Sequence, residues 1–222
     1  ISREIIVCVI LAILGIIFAL LFLGPEFFLT TYKETYNGLV KPLSTTRFAQ
    51  TVAENQQPFL VGGWSGSLGP IIGGIPIFLT LFLIGSIIVF RSLVSGLNKK
   101  EKNNLTYFYI FALFGLVFSR YSSTSILNGS SLLSNLIYVI GPLSFALYGL
   151  FVILKYQKEG LKDKLPSKMG LILLLFLLFS TALGARGAIR FVMMLILPSS
   201  IIVSYLIFYL IERSNKEGGS KM

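Results

Sequence analysis

Few residues of this chain can do chemistry. It has no histidine, a lone cysteine (Cys8) and a lone aspartate (Asp163). Histidine-based metal sites and proton relays are therefore excluded, and so is an internal disulfide. Carboxylates and arginines remain. One carboxylate stands out by its setting. Glu54 is the sole acid in the polar stretch Thr45–Trp64, "TTRFAQTVAENQQPFLVGGW", while the sequence on either side is almost pure hydrocarbon. A loop glutamate is ordinarily a solvated residue. Here the loop runs from Gly24 to Gly69, and its acids are Glu26, Glu34 and Glu54 alone. Loops of that length without regular structure are usually functional or disordered.

The elements that must position Glu54 are membrane helices. Hydrophobic residues make up 55% of the chain and charged residues only 13%, with a mean hydropathy of +0.83. A soluble domain of this size carries a much more charged surface. The segment Ile5–Leu23 has no charge and no proline. At about 1.5 Å per residue it can cross a hydrocarbon core of about 30 Å. The same test gives Pro70–Phe90, the short Leu105–Ser119, Leu136–Leu154, Met169–Ala185 and Phe191–Ile211. The expected fold class is all-α: a polytopic transmembrane helical bundle of about six spans with one long external loop. Pro142 and Pro198 fall inside spans, where bundle neighbours tolerate a kink.

Charge orients the bundle. Of 19 basic residues, 13 fall on the side that holds Arg3, the loops 91–104 and 155–168, and the tail 212–222. The other side keeps Lys33, Lys41, Arg47, Arg120, Arg186 and Arg190. The positive-inside rule puts both ends of the chain in the cytoplasm and residues 24–69 outside. The net charge of +10 is mostly this topological bias, which makes anionic membrane lipids the expected partner and nucleic acid an unfavoured one. Residues 1–222 read as one transmembrane unit, a fragment of a longer protein, and show no internal repeat.

Within the external loop, Gly24 and Pro25 close the first span. Phe27, Phe28, Tyr32 and Tyr36 suit an amphipathic interfacial helix. The glycines of "VGGWSGSLGPIIGG" make that part pliable, and Trp64 suits headgroup depth. Arginines near span ends commonly snorkel to headgroups, which is the expected fate of Arg186. Two Asn-X-Ser/Thr sequons occur. Asn104 is cytoplasmic on this topology, and Asn128-Gly129-Ser130 reads as a turn.

Two stretches resemble a known family. Thr51-Val52-Ala53-Glu54, followed by Asn55-Gln56-Gln57-Pro58, closely resembles the external-loop motif of the oligosaccharyltransferase catalytic subunit. The ten residues Ala185–Met194, with Pro198 after them, resemble that family's arginine-containing junction between two later spans. The archaeal single-subunit type is the nearest in pattern.

The resemblance implies an enzyme of protein N-glycosylation, a dolichyl-(di)phosphooligosaccharide–protein glycotransferase. The donor is a lipid-linked oligosaccharide on a polyprenyl phosphate or pyrophosphate. The acceptor is the asparagine of an Asn-X-Ser/Thr polypeptide. Glu54 is implied as the carboxylate near a divalent cation, Mn or Mg, and near the acceptor amide. Arg190 is implied beside the lipid-linked phosphate, with Arg120 as its rival. Thr51, Val52 and Asn55 are implied to line the acceptor. An amide nitrogen is a poor nucleophile because its lone pair is conjugated, and carboxylates accepting its N–H bonds weaken that conjugation. A guanidinium fork suits phosphate oxygens.

The chain departs from the family pattern in three ways. The family's other metal ligands lie in earlier external loops, whereas Asp163 is cytoplasmic here. Its Trp-Trp-Asp-Tyr-Gly motif is missing from a chain with one tryptophan. The Glu54–Arg190 interval holds one extra hairpin. This piece is therefore expected to be inactive alone. Another polyprenyl-phosphate-sugar-dependent membrane glycosyltransferase is the alternative. A lipid or ion transporter is less favoured, since the spans carry almost no mid-span charge.

Overall fold

In a computed structural model of the chain, the described residues are 10, 13–18, 20–21, 24–40, 58–161, 165–166, 169–187 and 189–219. They are mostly helical. The helices are α1 (Pro25–Val40), α2 (Ile77–Leu93), α3 (Lys99–Phe118), α4 (Leu132–Lys158), α5 (Met169–Gly187) and α6 (Ile189–Gly219). Residues 13–18 and 20–21 are helical as well. Between α1 and α2 lie a π-type turn, Leu60–Trp64, a helical turn, Ser65–Ser67, and a two-stranded antiparallel hairpin. In the hairpin β1 (Ile71–Ile72) pairs with β2 (Ile75–Pro76), Ile71 opposite Pro76.

Local chemistry sets the helix limits. Pro76 stands at the N-cap of α2, where its missing N–H costs nothing, and its carbonyl accepts the Thr80 hydroxyl at 2.9 Å. Ser131 caps α4 by accepting the Ser134 N–H at 3.2 Å. Asn98 opens α3, and its carbonyl accepts the Lys102 N–H at 2.8 Å. The neighbouring carboxylate Glu101 sits in that first turn, where the helix dipole favours it.

Helix α4 has 27 residues and α6 has 31, so they reach about 40 Å and about 46 Å at 1.5 Å per residue. Both are long and apolar enough to cross a membrane, and α2 and α5 are shorter apolar helices. The α4 span is only 17% buried. Leu132, Leu143, Leu147 and Phe151 on it are all more than half exposed. Pro142 and Pro198 lie inside α4 and α6, as the sequence predicts.

The helices pack chiefly as two pairs, α3 with α4 and α5 with α6, joined by α2 against α6. Close backbone approach holds these pairs. A Cβ on Gly115 would lie 2.6 Å from the Ile137 carbonyl oxygen, and one on Gly141 would lie 3.0 Å from that of Phe111. Gly85 does the same for α2, with Ile202 2.9 Å away. Small residues at such crossings are how helices pack when lipid offers no hydrophobic contrast. An aromatic cluster then binds four helices. Phe90 stacks on Tyr109 at 4.2 Å, Phe145 stacks on Phe179 at 5.5 Å, and Tyr109 meets both of the latter edge-on.

Several limits differ from the sequence reading. Residues 99–104, read as loop, are the first turns of α3, and its charged start keeps that helix from passing as an apolar span. Helix α4 runs on through Lys158, and α6 continues to Gly219, into the stretch read as a tail. Pro70–Pro76, read as the start of a span, is the hairpin, because Pro70, Gly73, Gly74 and Pro76 break a helix there. A helix does cover Phe27–Tyr36, as part of α1, with Phe27, Phe28 and Tyr32 exposed. Trp64 is 2% exposed: the π-type turn carries its ring into the core with Leu60 and Leu68, not to the surface.

Candidate functional site at the Arg120 end of the helices

Five of the sequence-predicted site residues are the least described. Thr51, Val52, Glu54 and Asn55 lie outside the described residues. Arg190 stands in the first turn of α6, and its side chain is likewise outside them, as is that of Arg186. Arg120 is described in full.

Pro58, the last residue of the Thr51–Pro58 motif, is described. Just beyond it the chain is tied to the end of α3. The Leu60 N–H donates to the Arg120 carbonyl at 2.8 Å and the Val61 N–H to that of Tyr121 at 3.1 Å. On the other side, the Tyr121 N–H donates to the Leu127 carbonyl at 2.7 Å, and Arg120 bridges Asn128. Arg120–Tyr121 is thus the middle of a three-segment tie.

Its side chain is buried, 9% exposed, with the guanidinium carbon 4.6 Å above the Phe59 ring. This places a cation on an aromatic face in a poorly hydrated setting, where such pairs are strongest. The stem of Arg120 runs over Gly129, where a Cβ would lie 2.8 Å from Arg120 Cγ. Gly129 also has φ +84°, a conformation that side-chain-bearing residues rarely adopt. Its N–H donates to Ser134 Oγ at 3.0 Å, and that hydroxyl donates to the Ser119 carbonyl. Asn128 Oδ1 accepts from the N–H of Ser130 at 2.9 Å and of Ser131 at 2.8 Å, so the second sequon is the predicted turn. Arg120 is therefore built into a niche and does not snorkel outward.

Beside the tie lies a cavity of about 560 Å³, lined by Leu60, Val61, Ser65, Pro76, Leu83 and Tyr121 among others. Its wall is mostly apolar. The Leu60–Trp64 turn also touches α6, the helix that opens with Ile189 and Arg190. Gly184 near the end of α5 packs on Phe191 near the start of α6, and Tyr138 of α4 reaches the Leu183 carbonyl at 3.5 Å. The motif's downstream strap, the Arg120 niche and the α5–α6 junction thus share one end of the molecule.

The opposite end carries a second polar cluster. Glu101, 8% exposed, accepts from Lys155 Nζ and from the Tyr156 hydroxyl. The same Tyr156 oxygen accepts the Asn98 N–H at 2.9 Å. Burial pushes the Glu101 carboxyl up, but the Lys155 and Tyr156 hydrogen bonds and the charges of Lys155 and Lys100 outweigh it. The net shift is below the ordinary carboxylate value. Arg91, Lys99, Lys100 and Lys102 stand at this end too.

Sequence reasoning missed Phe59 as the cover of Arg120, and missed the Glu101 tie. The first had no local mark, because the partners lie 61 positions apart in the chain. The second had one: Glu101 is a lone acid among Lys99, Lys100 and Lys102. Among the described residues no three acidic, cysteine or histidine side chains gather as a metal-binding group. The chain matches no protein-family model, no curated protein and no solved structure.

Proposed function

We propose that this chain is the later membrane part of an oligosaccharyltransferase catalytic subunit, with about six spans and both ends cytoplasmic. In this reading it helps transfer an oligosaccharide from a polyprenyl phosphate or pyrophosphate to asparagine in Asn-X-Ser/Thr. The single observation that carries it is the coupling at Pro58–Val61. The stretch that resembles the family motif ends where the chain is tied to a buried arginine. The low burial of the apolar α4 supports lipid as its surroundings, since a soluble core helix would be mostly covered.

The chemistry follows from the residues. Five peptide units separate Glu54 from Phe59, and an extended chain spans at most about 3.6 Å per residue, so Glu54 stays within about 18 Å of Phe59. Its carboxylate would accept the acceptor amide N–H bonds and loosen the amide conjugation. Arg190 or Arg120 would hold phosphate oxygens through paired, charge-assisted hydrogen bonds. The apolar cavity beside the strap and Tyr121 would seat a hydrocarbon group near the Arg120 niche. A divalent cation needs roughly six to eight oxygen ligands. Among the described residues no acidic cluster supplies that set, so no step is drawn through the ion.

The test is an assay of the full-length protein in membranes, given a lipid-linked oligosaccharide and a peptide with one Asn-X-Thr. Glycopeptide that disappears when glutamine replaces the acceptor asparagine supports the reading. Sugar delivered to a different acceptor, with the peptide untouched, rejects it in favour of another polyprenyl-phosphate-sugar glycosyltransferase.

A further inference from the structure

Helix α4 sorts its aliphatic side chains by a strict count. Leu136, Ile140, Leu143, Leu147, Leu150 and Leu154 follow one another at alternating steps of four and three. That is a 3.5-residue period, the repeat of two helices wound around each other. All six positions hold leucine or isoleucine, against two of the other thirteen in Leu136–Leu154. The six residues are 44–59% exposed. The opposite side of the helix faces the bundle, where Tyr138, Gly141 and Val152 are buried. The stripe therefore lies on the outward face. At 1.5 Å per residue it is about 28 Å long, close to the depth of a hydrocarbon core.

Lipid asks only that an outward position be apolar. The other exposed positions of this stretch are Val139, Ala146, Phe151 and Ile153, so exposure alone does not select leucine. A second helix does, because each side chain must enter a hole between four residues of its partner. The centre of the stripe offers such holes. Ser144 and Ala146 stand beside Leu143 and Leu147, and small residues let helices approach closely. The Ser144 hydroxyl is satisfied within its own helix, donating to the Gly141 carbonyl at 2.8 Å. Pro142 lies off the stripe. Leu136–Leu154 carries no charge, and the cation that follows, Lys155, is engaged by Glu101 of the same chain. Two copies crossing a membrane in the same sense bring identical residues together, so a bare charge on the seam would repel its copy. We propose that the outward face of α4 is an interface with a second copy of this chain, the two α4 helices forming a parallel, left-handed pair crossing at about 20°. The proposal rests on α4 spanning the membrane and not on the transferase reading.

The test places donor-labelled and acceptor-labelled copies of the full chain in phosphatidylcholine vesicles and follows energy transfer as added lipid dilutes the protein. Transfer should saturate as a dimer forms. L143A/L147A should weaken association at least about tenfold. L143M/L147M, which keeps the volume, should retain most of it. So should L173A/F176A, which trims two exposed side chains of α5 instead. A second measurement does not depend on truncating the stripe: in a Cys8→Ser background, Leu143→Cys should join two copies on oxidation and Leu173→Cys should not. The proposal is overturned if the chain is monomeric at every dilution, or if L173A/F176A weakens association as much as L143A/L147A does. It is also overturned if Leu143→Cys joins a different subunit in native membranes and never a second copy. Carbonate extraction keeps the two claims apart. A chain retained in the membrane yet monomeric overturns this proposal alone, whereas a chain released by carbonate overturns the spanning of α4 as well.

Discussion

Replacing Gly129 by alanine tests whether the Arg120 niche is as tightly built as the geometry says. The new methyl group would stand 2.8 Å from Cγ, 3.0 Å from Cδ and 3.2 Å from Nε of Arg120, so the arginine stem must move. The backbone there has φ +84°, which costs a non-glycine residue about 1–2 kcal/mol. Overpacking against a stem that cannot move freely adds about 1–3 kcal/mol. Together these give a loss of about 2–5 kcal/mol, large for a single methyl group. The matched control is Gly66→Ala, where nothing lies within 4 Å and the site is exposed. That change should stay within about 0.5 kcal/mol. Thermal unfolding in detergent, followed by intrinsic fluorescence of Trp64, reads both, because Trp64 is buried in the same tie. The fold holds one tryptophan, so the signal is local. If Gly129→Ala unfolds at the same temperature as the parent, the arginine is not packed on that turn and the niche argument fails.

Two further perturbations probe the frame. Gly115→Ala puts a methyl 2.6 Å from the Ile137 carbonyl oxygen; ordinary contact begins near 3.4 Å, so α3 and α4 must part by the difference, 0.8 Å. It should destabilise by about 1–3 kcal/mol in a denaturant or thermal assay, and an unchanged midpoint would show the crossing is looser than described. Glu101 gives a pH dependence of known sign. Its folded carboxyl titrates below the ordinary value of 4.5, so its contribution is complete above that value and is lost as pH falls through the lower, folded one. Glu101→Gln should flatten the acid limb of the stability profile, and an unaltered limb would mean the Lys155–Tyr156 tie does not matter to stability.

The legible part of the fold was what composition alone determines. Apolar runs gave α2, α4, α5 and α6, and the Asn128-Gly129 pair gave the turn. What escaped was set by partners distant in sequence. Residues 99–104 look like loop because they are charged, yet the Asn98 opening and the Glu101 contacts to Lys155 and Tyr156 make them helix. Trp64 looks like an interfacial anchor by type, yet the turn at Gly62 and Gly63 aims it inward. At the site, Arg120 was visible as a residue but its state was not. Nothing local says that Phe59 will cover it or that Gly129 will leave room for its stem.

The central claim is that the carboxylate upstream of this strap, Glu54, acts on the acceptor. The most direct measurement is the rate of glycopeptide formation by the full-length protein carrying Glu54→Gln, a change that keeps shape and removes charge, at matched expression and matched unfolding temperature. The account predicts that turnover is lost. Turnover equal to that of the parent protein would contradict it.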